Sequence, residues 1–170
     1  MKFLEKNLEQ IIFESDKDNL QDKGLYIGGK LFRQLKIGNY GISDLVEYSR
    51  PYYNEVLNKM YKGKITVYEL KQEKIGVSTF LQALGYLKGI RKFLENRGTD
   101  DYYDYEIVLI GSELELNNNF CYLTDFMYVV GDSEFYDDPS LGLSIFTYDY
   151  KIDGIEFKRS LGYYLKNNTF

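Results

Sequence analysis

Five residues with chemically useful side chains lie in order between positions 41 and 86 of the 170-residue chain: Asp44, Glu69, Lys71, Gln82 and Tyr86. Glu69 and Lys71 flank a single residue on a predicted strand, so their side chains point to the same face of that strand. Gln82 and Tyr86 are four positions apart on a predicted helix, where this spacing places both side chains on one face. The pattern can therefore bring two carboxylates, an ammonium group, an amide and a phenol to one side of a sheet.

These groups suit the metal-assisted hydrolysis of a phosphodiester bond. Asp44 and Glu69 can hold a hard divalent cation, Mg²⁺ or Mn²⁺, together with waters and a backbone carbonyl such as that of Leu70. Such a cation polarises a phosphoryl oxygen and lowers the pKa of a bound water, which becomes a nucleophile near neutral pH. Lys71 can position that water or neutralise the charge that develops on the phosphoryl oxygens.

The composition excludes catalysis that depends on histidine. The chain contains no histidine, which excludes Ser-His-Asp and Cys-His catalysis and every zinc site that depends on histidine. Cys121 is the single cysteine, so an intrachain disulfide and a Cys-only zinc site are excluded and a reducing, cytoplasmic location is favoured. No apolar run approaches the roughly 20 residues that a membrane span needs, so we expect no membrane partner.

Charge is divided unevenly along the chain. The net charge is −5, yet residues 1–98 contain 17 Lys and Arg against 12 Asp and Glu, whereas residues 99–170 contain 4 against 14. A basic half can meet phosphates while an acidic half faces away or limits non-specific binding. The alternative is that the asymmetry serves only solubility.

Hydrophobic periodicity predicts the elements that must position these residues. Apolar residues at helical spacing predict an amphipathic helix over residues 3–14, and polar residues predict a loop over 15–23. β-Branched, aromatic and alternating apolar residues predict strands over 31–37, 42–48, 65–70 and 105–110. A glycine-containing turn over 38–41 joins the first two strands as a hairpin. Residues 51–64 are predicted to form a connection with a short helical stretch.

A long helix is predicted from Ser78, as its N-cap, to about Arg97. Its apolar stripe consists of Phe80, Leu81, Leu84, Leu87, Ile90 and Leu94. Gly85 and Gly89 lie inside it and cost on the order of 1 kcal/mol each relative to Ala, which predicts a close approach of the helix backbone to a sheet or ligand. The strand-helix-strand order predicts a parallel pair of strands joined by a right-handed crossover.

The connection over 51–64 carries both cations and aromatic rings. The cations in and beside it are Arg50, Lys59, Lys62 and Lys64, and its tyrosines are Tyr52, Tyr53 and Tyr61. Cations can bind phosphates and aromatic rings can stack on bases. Two interpretations stay open, a loop that contacts nucleic acid and a merely exposed basic loop.

The last third of the chain is predicted to extend the core. We expect a short helix over 118–126, a short strand over 127–130, and a β-hairpin of residues 144–152 and 155–165 around Asp153-Gly154. We therefore predict one α/β domain over residues 1–170. Its catalytic core is predicted over 1–110, and an acidic, tyrosine-rich extension over 111–170.

Three segments of the chain resemble the successive motifs of the PD-(D/E)xK nuclease superfamily. They are Gly41-x-x-Asp44, Glu69-x-Lys71 and Gln82-x-x-x-Tyr86, and the third resembles the RecB-like branch in particular. The predicted first helix, which carries Glu5 and Glu9, is similar to the acidic first helix of archaeal mismatch endonucleases of the NucS type. The resemblance covers about residues 3–110, and Ser43 stands where the name-giving proline would be.

The resemblance implies a restriction-endonuclease-like core, a mixed four-stranded sheet flanked by helices, to which this chain adds a C-terminal β-hairpin extension. It implies that Asp44 and Glu69 bind the metal and that Lys71 is catalytic. It also implies that Glu9 assists the metal through water. The residues that would help to place DNA are, by the same resemblance, Gln82 and Tyr86.

We therefore expect a Mg²⁺- or Mn²⁺-dependent nuclease that hydrolyses DNA, with endonuclease and exonuclease action both open. The chain has no separate DNA-reading segment, so we expect selection by DNA structure or recruitment by a protein partner. A homodimer would suit double-strand cleavage. Two alternatives stay open: a catalytically silent nuclease fold that binds or inhibits a partner through its acidic half, and a nuclease that acts on RNA.

Overall fold

A six-stranded mixed sheet flanked by helices forms the centre of the structure, a computed structural model that describes residues 4–115 and 142–160. The helices are α1 (Glu5–Glu14), α2 (Lys17–Asp22) and α3 (Val77–Glu95). The strands are β1 (Lys30–Lys36), β2 (Ile42–Ser49), β3 (Tyr52–Asn54), β4 (Lys59–Tyr61), β5 (Gly63–Leu70), β6 (Lys74–Ile75), β7 (Tyr103–Gly111), β8 (Glu113–Leu114), β9 (Gly142–Lys151) and β10 (Gly154–Arg159). None of the described helices is long and apolar enough to cross a membrane.

The strand order of the central sheet is β1-β2-β5-β7-β9-β10. β1, β2 and β5 pair antiparallel, with a one-turn 3-10 segment (Gly38–Tyr40) between β1 and β2. β5 and β7 pair in parallel, and α3 lies between them in the chain. The α/β class, the first hairpin and the parallel pair on either side of a helix are therefore confirmed.

The central strands are buried on both faces of the sheet. On β5, Ile65 and Val67 pack on the side of α3, whereas Tyr68 and Leu70 pack on the side of α1. The α3 residues in the first cluster are Phe80, Ala83, Tyr86 and Leu87, and the α1 residues in the second are Leu8 and Ile12. The sheet is thus the middle layer between two hydrophobic clusters, and the polar groups of β5 from Thr66 onwards are buried.

The segment predicted as a loop over 15–23 contains helix α2. Asp16 caps this helix by accepting a hydrogen bond from the backbone N–H of Asp18 at 2.9 Å, and Leu20 is its buried residue. A helix of six residues with a single buried side chain has no hydrophobic periodicity to detect. The loop prediction was wrong for that reason.

The connection predicted over 51–64 contains a two-stranded hairpin, β3–β4, and the first residues of β5, so the helical stretch predicted there was wrong. The turn is organised by Asn54, whose side chain accepts a hydrogen bond from the backbone N–H of Leu57 at 3.0 Å. Asn58 follows in the left-handed region with φ +48°, where asparagine is well tolerated. Strands of three residues are too short for an alternating pattern to identify them.

Helix α3 begins two residues earlier than predicted. Gly76 takes the N-cap position in place of Ser78, and the Thr79 hydroxyl accepts a hydrogen bond from the Gly76 backbone N–H at 3.3 Å. Of the predicted apolar stripe, Leu81 is 57% exposed. Ala83 and Tyr86 are buried instead, so the buried face is rotated about the helix axis relative to the prediction.

The C-terminal hairpin is confirmed as β9–β10, and it joins the central sheet directly. β9 pairs in parallel with β7 from Glu106↔Gly142 to Gly111↔Thr147. The described sheet therefore has six strands, where the resemblance implies four. The helix predicted over 118–126, the strand predicted over 127–130 and the end of the strand predicted over 155–165 lie outside the described residues.

The two glycines inside α3 have different surroundings. A Cβ atom at Gly89 would lie 2.6 Å from side-chain atoms of both Ile37 and Tyr40, which belong to the connection between β1 and β2. A Cβ atom at Gly85 would meet nothing within 4 Å. The close approach predicted for both glycines therefore exists at Gly89 and not at Gly85.

We expect alanine to have opposite effects at these two positions. Gly85→Ala should raise the free energy of unfolding by about 0.5–1 kcal/mol, because alanine loses less backbone entropy in a helix. Gly89→Ala should lower it by about 1–3 kcal/mol, because the added methyl group must displace Ile37 and Tyr40. Urea unfolding followed by circular dichroism measures both values, and equal stabilities of the two variants would contradict the packing at Gly89.

Candidate active site

The ladder between β2 and β5 ends beside the two predicted metal ligands. Its last paired residues are Leu45 and Tyr68, and continuing the antiparallel register by one residue places Asp44 opposite Glu69. The backbone N–H of Leu70 donates to Oδ2 of Asp44 at 2.9 Å. The end of the ladder thus brings Asp44, Glu69 and the backbone of Leu70 together.

Glu69 is almost fully buried, with a relative exposure of 1%. Its Oε1 accepts a hydrogen bond from Nζ of Lys71 at 2.7 Å, whereas Oε2 is buried with no hydrogen-bond partner among the described residues. A buried carboxylate oxygen without a donor is energetically costly. A cation or a water at this oxygen would remove that cost.

Both the backbone and the side chain of Lys71 contact neighbouring elements. Its backbone N–H donates to the carbonyl of Ile110 on β7 at 2.8 Å, and its Nζ lies 3.9 Å from Oε1 of Glu5 on α1. Burial lowers the pKa of Lys71, but the hydrogen bond from Lys71 to Glu69 and the charge of Glu69 outweigh it, so the net pKa is raised. The Lys71 side chain is therefore a charged donor at neutral pH.

Both carboxyls bind protons more tightly than a carboxyl in water. Burial raises the pKa of Asp44 to about 6, against the lowering effect of the hydrogen bond from Leu70. Burial and, next, the charge of Asp44 raise the pKa of Glu69 to about 7, although Lys71 opposes the shift. The mutual repulsion of the two carboxylates favours the uptake of positive charge, whether as protons or as a metal cation.

Glu9 lies on α1 at 4% relative exposure, and both of its carboxylate oxygens are occupied. Nε of Arg33 donates to one oxygen and Nε2 of Gln34 donates to the other. Glu5, by contrast, is the α1 carboxylate within 4 Å of Lys71. The resemblance implied that Glu9 assists the metal through water, and the structure shows its carboxylate held by Arg33 and Gln34 of β1.

Gln34 has an unusual backbone conformation, with φ +50° within strand β1. Arg33 pairs with Leu45 and Leu35 pairs with Ser43, so Gln34 lies opposite Asp44. Leu35 packs in the cluster on the side of α3, whereas Arg33 and Gln34 both reach Glu9 on α1. The left-handed residue interrupts the alternation of the strand and lets two consecutive side chains hold one carboxylate.

Tyr86 lies against Gly41, the residue before β2, and Gln82 is hydrogen-bonded to Tyr86. Nε2 of Gln82 donates to the Tyr86 hydroxyl at 2.9 Å, and the Tyr86 ring is buried. Gly41 has φ +113°, and a Cβ atom there would lie 3.0 Å from the Tyr86 ring. The Gln-x-x-x-Tyr pair thus contacts the Gly-x-x-Asp segment three residues before Asp44. Within the described residues it makes no hydrogen bond to Asp44, Glu69 or Lys71.

The sequence argument missed one buried acid on β2. Glu47 accepts hydrogen bonds from the Tyr68 hydroxyl at 2.6 Å and from the backbone N–H of Gly29. Burial, and then the charge of Glu47, raise the pKa of Tyr68 well above its usual range. The pair fastens the segment before β1 to the sheet, and a glutamate in an alternating strand carries no signal of this burial.

The two carboxylates could hold a cation such as Mg²⁺ only together with other ligands, namely a backbone carbonyl, waters and substrate phosphates. Within residues 4–115 and 142–160, no group of three or more acidic side chains is arranged to hold a metal ion. Mg²⁺ is usually held by one or two carboxylates, with waters and substrate phosphates completing the octahedron. Asp44, Glu69 and the Leu70 carbonyl match that requirement, and the free oxygen of Glu69 supplies an open ligand.

Comparison with known proteins assigns the chain to no family. No family model, no curated protein and no solved structure matches it. The functional interpretation therefore depends on the geometry around Asp44, Glu69 and Lys71, and the resemblance to PD-(D/E)xK nucleases stays a prediction from the motifs.

We expect the candidate site to make stability fall with rising pH. Asp44 and Glu69 hold protons more tightly in the folded protein than in the unfolded chain. The folded protein should therefore lose stability as the pH rises from about 4 through the folded pKa values of about 6 and about 7. In EDTA at pH 8, Glu69→Gln should raise the free energy of unfolding by about 1–3 kcal/mol, and at pH 4 the gain should largely vanish.

Asp149→Asn provides the matched control for this measurement. Asp149 is exposed, and the hydrogen bond from Lys158 lowers its pKa, so its neutralisation should not stabilise the protein at pH 8. Denaturant unfolding at both pH values measures the effect. A Glu69→Gln variant less stable than wild type at pH 8 would contradict the assignment of Glu69 as an uncompensated buried charge.

Proposed function

We propose that this chain is a metal-dependent nuclease that hydrolyses phosphodiester bonds of DNA, with a restriction-endonuclease-like fold of the RecB-like type. The observation that carries the proposal is the buried Glu69, which has one oxygen on Lys71 and the other without a partner beside Asp44. Two neighbouring carboxylates can hold a divalent cation, and an adjacent ammonium group can stabilise charge on a phosphoryl oxygen, which are the roles that this hydrolysis uses. The absence of histidine in the chain is compatible with this chemistry.

Asp44 and Glu69, with the carbonyl of Leu70, are the residues that would hold Mg²⁺ or Mn²⁺. When bound, the cation would polarise a phosphoryl oxygen and lower the pKa of a water. Lys71 is protonated and positioned by Glu69 and by the carbonyl of Ile110. It would therefore act as a donor that orients the attacking water or neutralises charge on the phosphoryl oxygens, and not as a base.

The surrounding residues would position the site and the substrate. Glu9 would act on the cation through water, with Arg33 and Gln34 fixing its carboxylate. Gln82 and Tyr86 would help to place the DNA strand at Asp44, since the Tyr86 ring lies against Gly41 and Gln82 is hydrogen-bonded to Tyr86. The proposal includes a cytoplasmic location, and a second copy or a recruiting protein as partner.

The alternative of an inhibitory module that acts through acidic residues gains no support from the described part of the C-terminal hairpin. Asp149 pairs with Lys158 at 2.7 Å, and Glu156 pairs with Lys151. Asp153 pairs with Lys23 at 3.1 Å. These carboxylates are neutralised within the chain, so they do not form an acidic surface for a basic partner.

Cleavage of a labelled panel tests the proposal directly. The panel contains single-stranded DNA, duplex, flap, mismatch, four-way junction and structured RNA, each with Mg²⁺, Mn²⁺ or EDTA. We expect metal-dependent cleavage of a DNA substrate, and a loss of about 10²-fold or more in Asp44→Asn, Glu69→Gln and Lys71→Met. The first two variants lose a carboxylate that would hold the cation, and the third loses the positive charge beside the phosphate. Asp149→Asn should cleave like wild type. A folded wild-type protein that leaves the whole panel intact would overturn the proposal.

Metal binding can be measured without any substrate. Saturating Mg²⁺ or Mn²⁺ should raise the unfolding temperature of the wild type at pH 8, because a ligand at 100 times its Kd stabilises the folded state by about 2.7 kcal/mol. The rise should be absent in Glu69→Gln and retained in Asp149→Asn. An equal rise in all three proteins would place the metal elsewhere.

A further inference from the structure

The two edges of the central sheet differ in whether their lysines form ion pairs with carboxylates of the described residues. At the β10 edge, Lys158 and Lys151 pair with Asp149 and Glu156. At the β1 edge, Lys30 and Lys36 are exposed and form no ion pair with a described residue. Residues 24–43, which include β1, contain no aspartate or glutamate at all. The β1 edge is therefore the edge with available positive charge.

The β1 edge leads away from the candidate active site. Lys36 pairs with Ile42, two residues before Asp44, whereas Lys30 pairs with Tyr48 near the far end of β2. The six residue steps of β1 span about 20 Å at about 3.3 Å per residue. The two lysines thus mark the start and the end of one sheet edge.

A cationic cleft of about 600 Å³ lies at the far end of this edge, between α1 and the start of β1. Its charged lining residues are Lys17, Lys30 and Arg50, and none of its lining residues is acidic. Nζ of Lys17 is fixed by the carbonyls of Gly28 and Gly29, at 3.3 and 2.5 Å. Arg50 forms no ion pair within the described residues. Three cations without a carboxylate suit a phosphate group.

The β3–β4 hairpin follows Arg50 directly and carries a pair of stacked tyrosines. The rings of Tyr52 and Tyr61 lie 5.0 Å apart between centroids and within 8° of parallel. Tyr52 is 56% exposed, and Nζ of Lys59 lies 5.4 Å from the centroid of the Tyr61 ring. An exposed ring backed by a second ring and a cation is a suitable platform for a nucleic-acid base.

Two other cations of this region belong to the sheet. Lys64 pairs with Glu106 at 2.6 Å and Lys62 with Asp104 at 3.8 Å, both across to β7. Of the basic residues noted in the sequence, Arg50 and Lys59 are the two without a described carboxylate partner. The structure thereby separates the binding candidates from the residues that pair within the protein.

We propose that the β1-edge surface, formed by Lys36, Lys30, Lys17, Arg50 and Tyr52, binds single-stranded DNA that extends from the candidate active site. The cations would hold backbone phosphates, and the exposed face of Tyr52 would stack on an unpaired base. The identity of the strand rests on the proposed nuclease function. A single strand stacked at the rise of B-DNA, about 3.4 Å per nucleotide, would place about six nucleotides along this length, and a more extended strand would place fewer. The preferred substrate therefore carries several unpaired nucleotides on one side of the cut, up to about six of them along β1.

Binding in EDTA tests this surface without cleavage. Fluorescence anisotropy of labelled single strands of 4, 8 and 16 nucleotides and of a blunt duplex would be measured with the full chain over a range of salt concentrations. Tyr52→Ala should weaken binding of the 16-mer about tenfold or more, and Tyr52→Phe should bind like wild type. Arg50→Ala should reduce the slope of log K against log salt by about 0.7.

Matched controls lie on the opposite side of the sheet. Tyr150→Ala removes a tyrosine that is 64% exposed on β9, and Lys158→Ala removes a paired lysine on β10. Both should bind the 16-mer like wild type. Equal affinity of Tyr52→Ala, Arg50→Ala and these controls would overturn the proposal. So would a change in the sedimentation of the protein alone on Tyr52→Ala, because the hairpin would then be an interface between protein chains.

The binding result is separable from the nuclease result. Tyr52-dependent binding in a protein that cleaves nothing would reject the nuclease and keep the surface. Metal-dependent cleavage that is equally fast for 4- and 16-nucleotide overhangs and for Tyr52→Ala would keep the nuclease and reject the surface.

Discussion

The β2–β5 ladder stops at Leu45 and Tyr68, and the next backbone donor on β5, the N–H of Leu70, turns to the carboxylate of Asp44. Because β5 is covered by α1 on one face and α3 on the other, the residue at this break, Glu69, is buried with Lys71 as its hydrogen-bond partner. A charged group in the central layer is costly unless charge of the opposite sign meets it. The candidate site follows from that single constraint: an interrupted ladder in the middle of a sheet, with acids on both sides of the break.

Strand β1 has an irregular residue at the same level as this break. Opposite Asp44, the backbone of Gln34 has φ +50°. Residues other than glycine rarely adopt this conformation, which costs on the order of 1 kcal/mol or more. In return both Arg33 and Gln34 reach Glu9, so that a buried acid of α1 has a donor for each oxygen. Strain of this kind persists where surrounding contacts over-determine the backbone, and it is concentrated at functional sites. Its occurrence beside Asp44 supports the assignment of this region as the site.

The described residues show a division of charge finer than the two halves of the sequence. The acids of the C-terminal hairpin are paired with lysines, one of them, Lys23, from the basic half. Lys62 and Lys64 of the basic half are likewise paired with acids of β7. At the β1 edge, Lys30 and Lys36 form no ion pair with a described residue, and the chain has no acid for twenty residues there. Net charge by halves therefore indicated a basic surface but not its position, because ion pairs between distant segments cancel much of each half.

The local sequence was sufficient to predict some helices and strands and insufficient to predict others. The run from Ile65 to Leu70 and the repeat from Phe80 to Leu94 predicted β5 and α3, since each has several buried residues at the period of its own element. Helix α2 and the hairpin β3–β4 escaped, because six residues and twice three residues are too few for a period to be visible. The parallel pairing of β9 with β7 is a contact between segments more than thirty residues apart, which no local pattern encodes.

The sequence by itself determined which groups are present and how they alternate: two carboxylates and a lysine on or beside two predicted strands, and no histidine to compete with them. Only the tertiary structure decided their electrostatic states, because burial, hydrogen bonds and neighbouring charges depend on how β2, β5 and α1 meet. Thus Glu9 is held by Arg33 and Gln34, and Glu5 lies near Lys71, although the two glutamates differ by one helical turn in sequence. The period of a strand or helix predicts the face on which a side chain lies, and packing decides what that side chain meets there.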